Sequence, residues 1–309
     1  MQVEEAARVD ERELLDELLA RGLLVATGVP GLYGRGRDFE RIRLGLDALL
    51  TRAFVDEGAE RMSFPPAIPR RQMESSGYLK SFPHLAGTVF SFEGSEAQAA
   101  EQDALAQEHA DWSRFQHMTP LALLPAACYP VYPAVAGRGR LARPGLTIDP
   151  GAASVFRHEP SQDPTRWQFF HMRELVRIGD PEAVVAWRDR WLERGLLLLG
   201  GLGLEARRDV AADPFFGRTG RLLAASQREQ ELKYEIHLQI AGPSPTAIAS
   251  FNCHQAHFAA LYGLEFADGG EVHTACLGFG HERIVVGLLR THGFDPVGWP
   301  SEVAEQIFS

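Results

Sequence analysis

Read for the spacing of apolar and polar positions, the chain has helical patterns near both ends and a strand-rich middle. Within residues 4–24, Leu14, Leu15, Leu18, Leu19 and Leu23 recur at helical spacing, with Asp and Glu on the opposite face. A first helix is predicted there, packed on the body of the protein. GVPGLYGRGR follows and reads as a loop. A second helix runs from about Asp38, a candidate N-cap, to Val55. Phe39, Ile42, Leu44, Leu46, Leu49 and Leu50 form its broad apolar face, and Gly58 stops it. ERMSFPP then reads as a strand ended by Pro65 and Pro66, which have no N–H to give a ladder.

In the middle, GTVFSFEG (87–94) is a strand bounded by turn residues. Leu146–Arg157 and Trp167–Ile178 are two strands joined as a hairpin by the polar loop HEPSQDPTR. PEAVVAWRDRWLERGLLLLGGLG (181–203) is a helix with Pro181 in its first turn and Asp180 as candidate cap. ELKYEIHLQIAG and TAIASFNCHQAHF alternate as strands with one buried face. VHTACLGFG and GHERIVVGLLRTHG read as strand, glycine turn and helix. The sum is an α+β fold, a mostly antiparallel sheet flanked by helices. No repeat, low-complexity tract or Ser/Gly linker divides it, so a single domain over 1–309 is expected.

Composition narrows the setting. The 309 residues are 45% hydrophobic and 23% charged, an ordinary globular balance. No apolar run approaches the roughly 20 residues that span a bilayer. The acidic start, MQVEEAARVDERELLDELL, lacks the basic and apolar regions of a secretory signal. Cys128, Cys253 and Cys276 are too few and too scattered for a disulfide framework, so a cytoplasmic protein with reduced thiols is expected. The net charge of −10 argues against nucleic acid as the main partner. Lys80 and Lys233 are the only lysines. That bias fits GC-rich coding, and it still singles out Lys233.

Three segments carry the candidate chemistry. The first is the long helix, strand and Pro65. The second is Phe156-Arg157-His158-Glu159, a loop, and Gln168-Phe169-Phe170-His171-Met172-Arg173-Glu174. The third is Gly278-Phe279-Gly280-His281-Glu282-Arg283 at the start of an apolar helix. In this order they resemble the three signature motifs of class II aminoacyl-tRNA synthetases, and the resemblance covers nearly the whole chain. GxGxxR alone would say little; FRxE, FxxxE and GxGxxR in sequence say much. Attack of a carboxylate on the α-phosphate of ATP builds charge that a planar guanidinium neutralises in fixed geometry. The resemblance implies that Arg157 meets the α-phosphate and substrate carboxylate, and that Glu159 reads the adenine amino group. It also implies that Phe170 stacks under adenine and that Arg283 meets the γ-phosphate, with Mg²⁺ accompanying ATP. Apart from the motifs, Arg157 and Arg283 read as exposed arginines and Phe170 as a core aromatic.

Within the class, HLAGTVFSFEG, DPFFG, ELKYEIHLQI, SFNCHQAHF and VHTACLGFGHER are similar to segments of seryl-tRNA synthetase. Two departures matter. A single short helix stands where seryl enzymes carry a long tRNA-gripping helical hairpin. TPLALLPAACYP stands where they carry a Thr-x-Glu serine-binding signature. Both departures resemble the amino acid:[carrier protein] ligases, truncated relatives of the zinc-dependent, archaeal-type seryl enzymes. That resemblance implies a zinc ion, one per subunit, held by Cys128, Glu174 and Cys276 with an open fourth position for the substrate amine. The spacing by itself, with no two ligands close in sequence, reads instead as two buried small hydrophobic residues. Cys253 has no counterpart and reads as structural.

The resemblance also places Asp213, Lys233, Ser250 and Asn252 at the substrate. Asp213 reads alternatively as a turn residue before Pro214, and Lys233 as a surface residue. Thr246 stands where seryl enzymes have an acidic magnesium ligand, so no residue is assigned to magnesium. The implied reaction activates a small amino acid, glycine or alanine, as an adenylate. Transfer follows to the 4′-phosphopantetheine thiol of an acidic carrier protein. Arg218, Arg221 and Arg228, or Arg138, Arg140 and Arg143, would form a basic docking surface, or else a solvated face. A homodimer through residues 38–65 is implied as well. Two rivals stand beside this reading. One is a seryl-tRNA-synthetase-like enzyme with another acceptor, disfavoured by the short N-terminus and negative charge. The other is a non-catalytic regulatory paralog, which would not need two phosphate-reading arginines.

Overall fold

Seven segments build one central sheet, with short, exposed strands at its two edges. In the computed structural model, which describes residues 10–309, its strands run in the order Glu60–Arg61, Gly145–Phe156, Phe169–Gly179, His273–Gly280, Thr246–Gln255, Lys233–Leu238 and Arg207–Val210. Every neighbouring pair is antiparallel except the first, which is parallel. The hairpin formed by Gly145–Phe156 and Phe169–Gly179 therefore lies beside His273–Gly280, a distant segment of the chain. The second and third sequence motifs become neighbours through backbone pairing.

One face of the sheet is apolar. Leu175, Phe251, Leu277 and Phe279 point to that face and share a core with three helices, Arg37–Phe54, Pro181–Gly201 and His281–His292. Phe39, Ile42, Leu46 and Leu50 from the first of these are fully buried, as is Trp191 from the second. Each such side chain stabilises the fold by about 1.5–3 kcal/mol. Because strand side chains alternate, burying the odd-numbered residues on this side commits Glu174, Cys276, Gly278, Ser250 and Asn252 to the opposite face. Arg173 crosses the packed side. It donates to Asp149 Oδ2 at 2.8 Å and to Thr51 Oγ1 at 3.1 Å, tying the sheet to the first of these helices.

Most elements lie where periodicity put them, and the differences have local causes. The N-terminal helix spans Glu11–Ala20, opened by Asp10, whose side chain accepts from Arg12 and Glu13. Its expected start at residue 4 lies outside the described residues. The loop after it is a short hairpin, Leu24–Ala26 with Tyr33–Arg35. The second helix begins at Arg37 with Gly36, not Asp38, at its N-cap and no side-chain cap. A Cβ at Gly36 would run into the Gly22 carbonyl, so chain packing chose the start. The strand after Gly58 is only Glu60–Arg61. Asp180 does cap 181–201 in position but makes no capping hydrogen bond; it pairs with Arg143 instead.

A small three-stranded sheet is only partly legible in the sequence. Its central strand, Gln116–Leu123, contains Pro120, which argues against a central strand. The register to Thr88–Phe92 shifts between Thr88 and Phe90, at the level of Pro120, so the ladder is interrupted where no N–H is available. The helix Glu96–Gln107 between them has no buried residue, hence no apolar stripe to detect.

Candidate active site

Sheet register arranges the chemistry in rows on the polar face. Asn252 pairs with Cys276 on one side and with Lys233 on the other. In the next row Glu174, Gly278, Ser250 and Glu235 stand side by side. Met172 and Gly280 follow, and Phe170 lies one step further along its strand. Gly278 leaves a gap in the middle of this array. A Cβ there would meet Met172 Cε at 2.6 Å and Glu174 Cγ at 3.3 Å, so any side chain would close the floor between the two halves of the site.

At one end of the rows Cys128, Glu174 and Cys276 converge. One ligand atom from each lies within 4.8 Å of the others, and all three residues are buried. Cys128 arrives from the turn after Leu123, held among Val131, Tyr132 and Phe258. Glu174 Oε1 accepts from the Ala127 N–H at 2.9 Å, while Oε2 is buried without a partner. Burial pushes the Glu174 carboxyl up to about 8, and the neighbouring Cys276 adds to the rise. The Cys128 thiol is raised too, through its hydrogen bond to Cys276 and its burial. Cys276 Sγ accepts from Asn252 Nδ2 at 3.4 Å and lies 3.6 Å from His254 Nε2. Three acidic groups in a dry pocket, with an orphaned carboxylate oxygen, suit a divalent cation that favours their ionised forms. The S,S,O donor set is one zinc accepts.

Beyond Gly278 the face opens into a cleft. Arg157, Phe170, Lys233, Ser250 and Arg283 line it together, so five sequence-selected residues share one cavity. The Arg157 guanidinium carbon lies 5.7 Å from the centre of the Phe170 ring. Arg283 donates to the Thr165 and Ala247 carbonyls, both at 2.8 Å. Burial, with Arg157 and Arg166 nearby, lowers its guanidinium to about 10. Two arginines lining one cleft, close enough for Arg157 to lower Arg283, make a candidate anion site.

Asp213 and Lys233 pair at 2.6 Å, and Lys233 reaches Glu235 at 3.0 Å. Burial works to raise Asp213, but Lys233 and the Gln227 amide hold it down to about 2. Glu159 follows Arg157 in the loop but is not among the cleft-lining residues; its carboxylate is 3.5 Å from Arg166 Nη1. Asn252 faces Cys276, not the cleft. Cys253 is 5% exposed and belongs to the apolar core.

Several cleft residues with polar or aromatic side chains were given no role by sequence reasoning. Glu235 lines the cleft, and the alternation from Lys233 would have found it. Thr165 and Trp167 come from the loop inside the second motif, where no periodicity operates. Glu282, immediately before Arg283, lines the cleft from a buried position and carries Arg35 and His171 on its oxygens. Next to it, burial holds His281 down to about 3.

No family model matches the chain. Among known proteins it is 42% identical over 288 residues to amino acid–[acyl-carrier-protein] ligase 1 of Bradyrhizobium diazoefficiens, covering 93% of this chain and 88% of that protein. It is 28% identical over 302 residues to the type-2 serine–tRNA ligase of Methanopyrus kandleri, covering 87% of this chain and 54% of that enzyme. Its fold matches the M. kandleri SerRS, solved in complex with A. aeolicus tRNASec, with a TM-score of 0.81 and 23% identity. That match covers 99% of this chain and 62% of the solved one. With a class II synthetase fold and a ligase relative matched along almost its whole length, the chain belongs to the amino acid–[acyl-carrier-protein] ligase family.

Proposed function

We propose that this enzyme activates a small amino acid, glycine or alanine, with ATP and transfers it to the 4′-phosphopantetheine thiol of a carrier protein. The observation that carries the reading is the continuity of Cys128, Glu174 and Cys276 with the arginine-lined cleft across Gly278. A zinc ion held by these three residues would supply a Lewis-acid position for the α-amine beside the nucleotide. The substrate carboxylate oxygen attacks the α-phosphorus, the bond to the β-phosphate oxygen breaks, and pyrophosphate leaves. Arg157 stabilises the charge on the α-phosphate and Arg283 that on the γ-phosphate, while Phe170 seats the adenine and Glu159 its amino group. Magnesium accompanies the phosphates. Lys233, held by Asp213 behind it, lines the cleft beside Ser250, and Asn252 orients the Cys276 sulfur. The carrier thiol then attacks the acyl carbon and AMP leaves.

Between the two basic segments, the side-chain pairings favour one for docking the carrier. Arg138, Arg140 and Arg143 are each paired with an acid of this chain, Glu60, Glu265 and Asp268. Arg218, Arg221 and Arg228 lie exposed on the helix Gly217–Glu229, and among the described residues none forms an ion pair. Leu222 is 70% exposed on the same helix, which offers an apolar contact within a basic rim. The protein acts as a homodimer through residues 38–65.

ATP–pyrophosphate exchange with glycine and alanine tests the first half-reaction. Labelled amino acid should then load a phosphopantetheinylated carrier and not tRNA. Exchange without carrier loading would reject the acceptor, and no exchange with any small amino acid would reject the enzyme reading. Light scattering giving one 34.1 kDa chain would reject the dimer alone.

A further inference from the structure

Glu282 is a fully buried carboxylate with partners from two distant segments. Its Oε1 accepts from Arg35 Nε at 3.1 Å and from Nη2 at 2.6 Å. Its Oε2 accepts the His171 backbone N–H at 2.7 Å. The His171 Nδ1 lies 2.9 Å from Oε1 and 3.0 Å from Arg35 Nη2, so one ring nitrogen faces both a donor and an acceptor. Glu282 precedes Arg283 in the first turn of the helix His281–His292, and His171 follows Phe170 on the strand Phe169–Gly179, so the carboxylate joins the helix start that carries the anion-binding arginine to the strand that carries the aromatic platform.

Arg35 comes from neither of these elements. It ends the N-terminal hairpin, and its guanidinium carbon also sits 5.3 Å from the centre of the Trp167 ring. The Trp167 indole donates to Pro164 O, and the next carbonyl, Thr165 O, receives Arg283 Nε. Gln168 ties the same loop to the hairpin, donating its N–H to Gly31 O at 2.7 Å and its amide to Pro30 O at 2.9 Å. One guanidinium thus braces both ends of the nucleotide half of the cleft, and its planar fork is what reaches a carboxylate while stacking on an indole.

We propose that Arg35 is a positioning residue for ATP, holding Phe170 and Arg283 in register through Glu282 and Trp167. The proposal rests on the nucleotide role given to those two residues above. Removing Arg35 leaves a buried carboxylate with His171 alone, and the N–H clamp beside Phe170 loosens. The metal-ligating end of the face lies rows away and is untouched, so the defect falls on ATP and spares the amino acid.

The test is steady-state ATP–pyrophosphate exchange by full-length Arg35→Ala, Arg35→Gln and Arg35→Lys, with circular dichroism as a folding check. The KM for ATP should rise about tenfold in the first two while the amino acid KM stays within about twofold, and lysine should recover part of the loss. An ATP KM within about twofold of wild type, or a parallel rise of both KM values, would overturn the proposal. So would failure of all three variants to fold, which would make Arg35 a folding residue. Phe170→Ala and Arg283→Ala run beside them. If these two leave the ATP KM unchanged, the nucleotide reading itself fails. If they raise it and the Arg35 variants do not, only the bracing role fails.

Discussion

Glu174 and Glu282 stand equally deep in the protein, 2% and 1% exposed, and their carboxyls move in opposite directions. Burial drives Glu174 up to about 8, since its close neighbours are two thiols and backbone N–H groups with no cation among them. The same burial acts on Glu282, yet the His171 hydrogen bonds and the Arg35 guanidinium hold it down to about 2. Depth alone therefore does not set a carboxyl's charge; what matters is whether the chain itself provides a cation. At Glu282 it does, and the result is a brace. At Glu174 it does not, and the pocket is left with an unmatched oxygen and two sulfurs that a metal would satisfy.

The contrast is broken most severely by removing a ligand. Cys276→Ala or Glu174→Gln should lower zinc from about one per chain to near none, read by elemental analysis, and cut adenylation by on the order of 10³. Full zinc content in either variant would mean that the three residues are simply core. Arg283→Ala should lower kcat/KM for ATP by about 10²–10³ with zinc content unchanged. Zinc loss in that variant would show that the metal pocket and the nucleotide cleft behave as one unit.

Glu282→Gln keeps the shape and removes the charge, so stability at neutral pH should fall by about 2 kcal/mol in urea denaturation. The pH dependence has a defined sign. A carboxyl held at about 2, below its ordinary value of 4.5, stabilises the folded state above 4.5, and that contribution is lost as pH falls toward 2. Wild type and variant should therefore converge in acid. A gap that persists at pH 2 would show that the loss comes from packing. The smallest effect belongs to the third cysteine. Cys253→Ala should cost about 1 kcal/mol and leave zinc and exchange unchanged, which separates a core thiol from a ligating one.

Much of this was legible before any coordinate. Alternation in 233–238 and 246–255 located two sheet strands, 273–280 read as a strand running into a glycine turn, and the helix after Gly280 began where that turn placed it. Arg157, Phe170 and Arg283, selected by motif, and Lys233 and Ser250, selected by family resemblance, all line one cleft. The helix Glu96–Gln107 and the strand through Pro120 escaped because neither shows the periodicity or composition that marks its kind.

The sequence by itself determined which side chains of each strand share a face, because a period of two is a property of the strand alone. It also determined the residue types that ATP chemistry requires. Only the tertiary structure decided that Cys128, Glu174 and Cys276 meet, that Gly278 opens the floor between them and the arginines, and that Arg35 reaches Glu282. Those meetings depend on strand register and on the path of loops across the sheet, which are set by the packing of the whole core and leave no local mark in the chain.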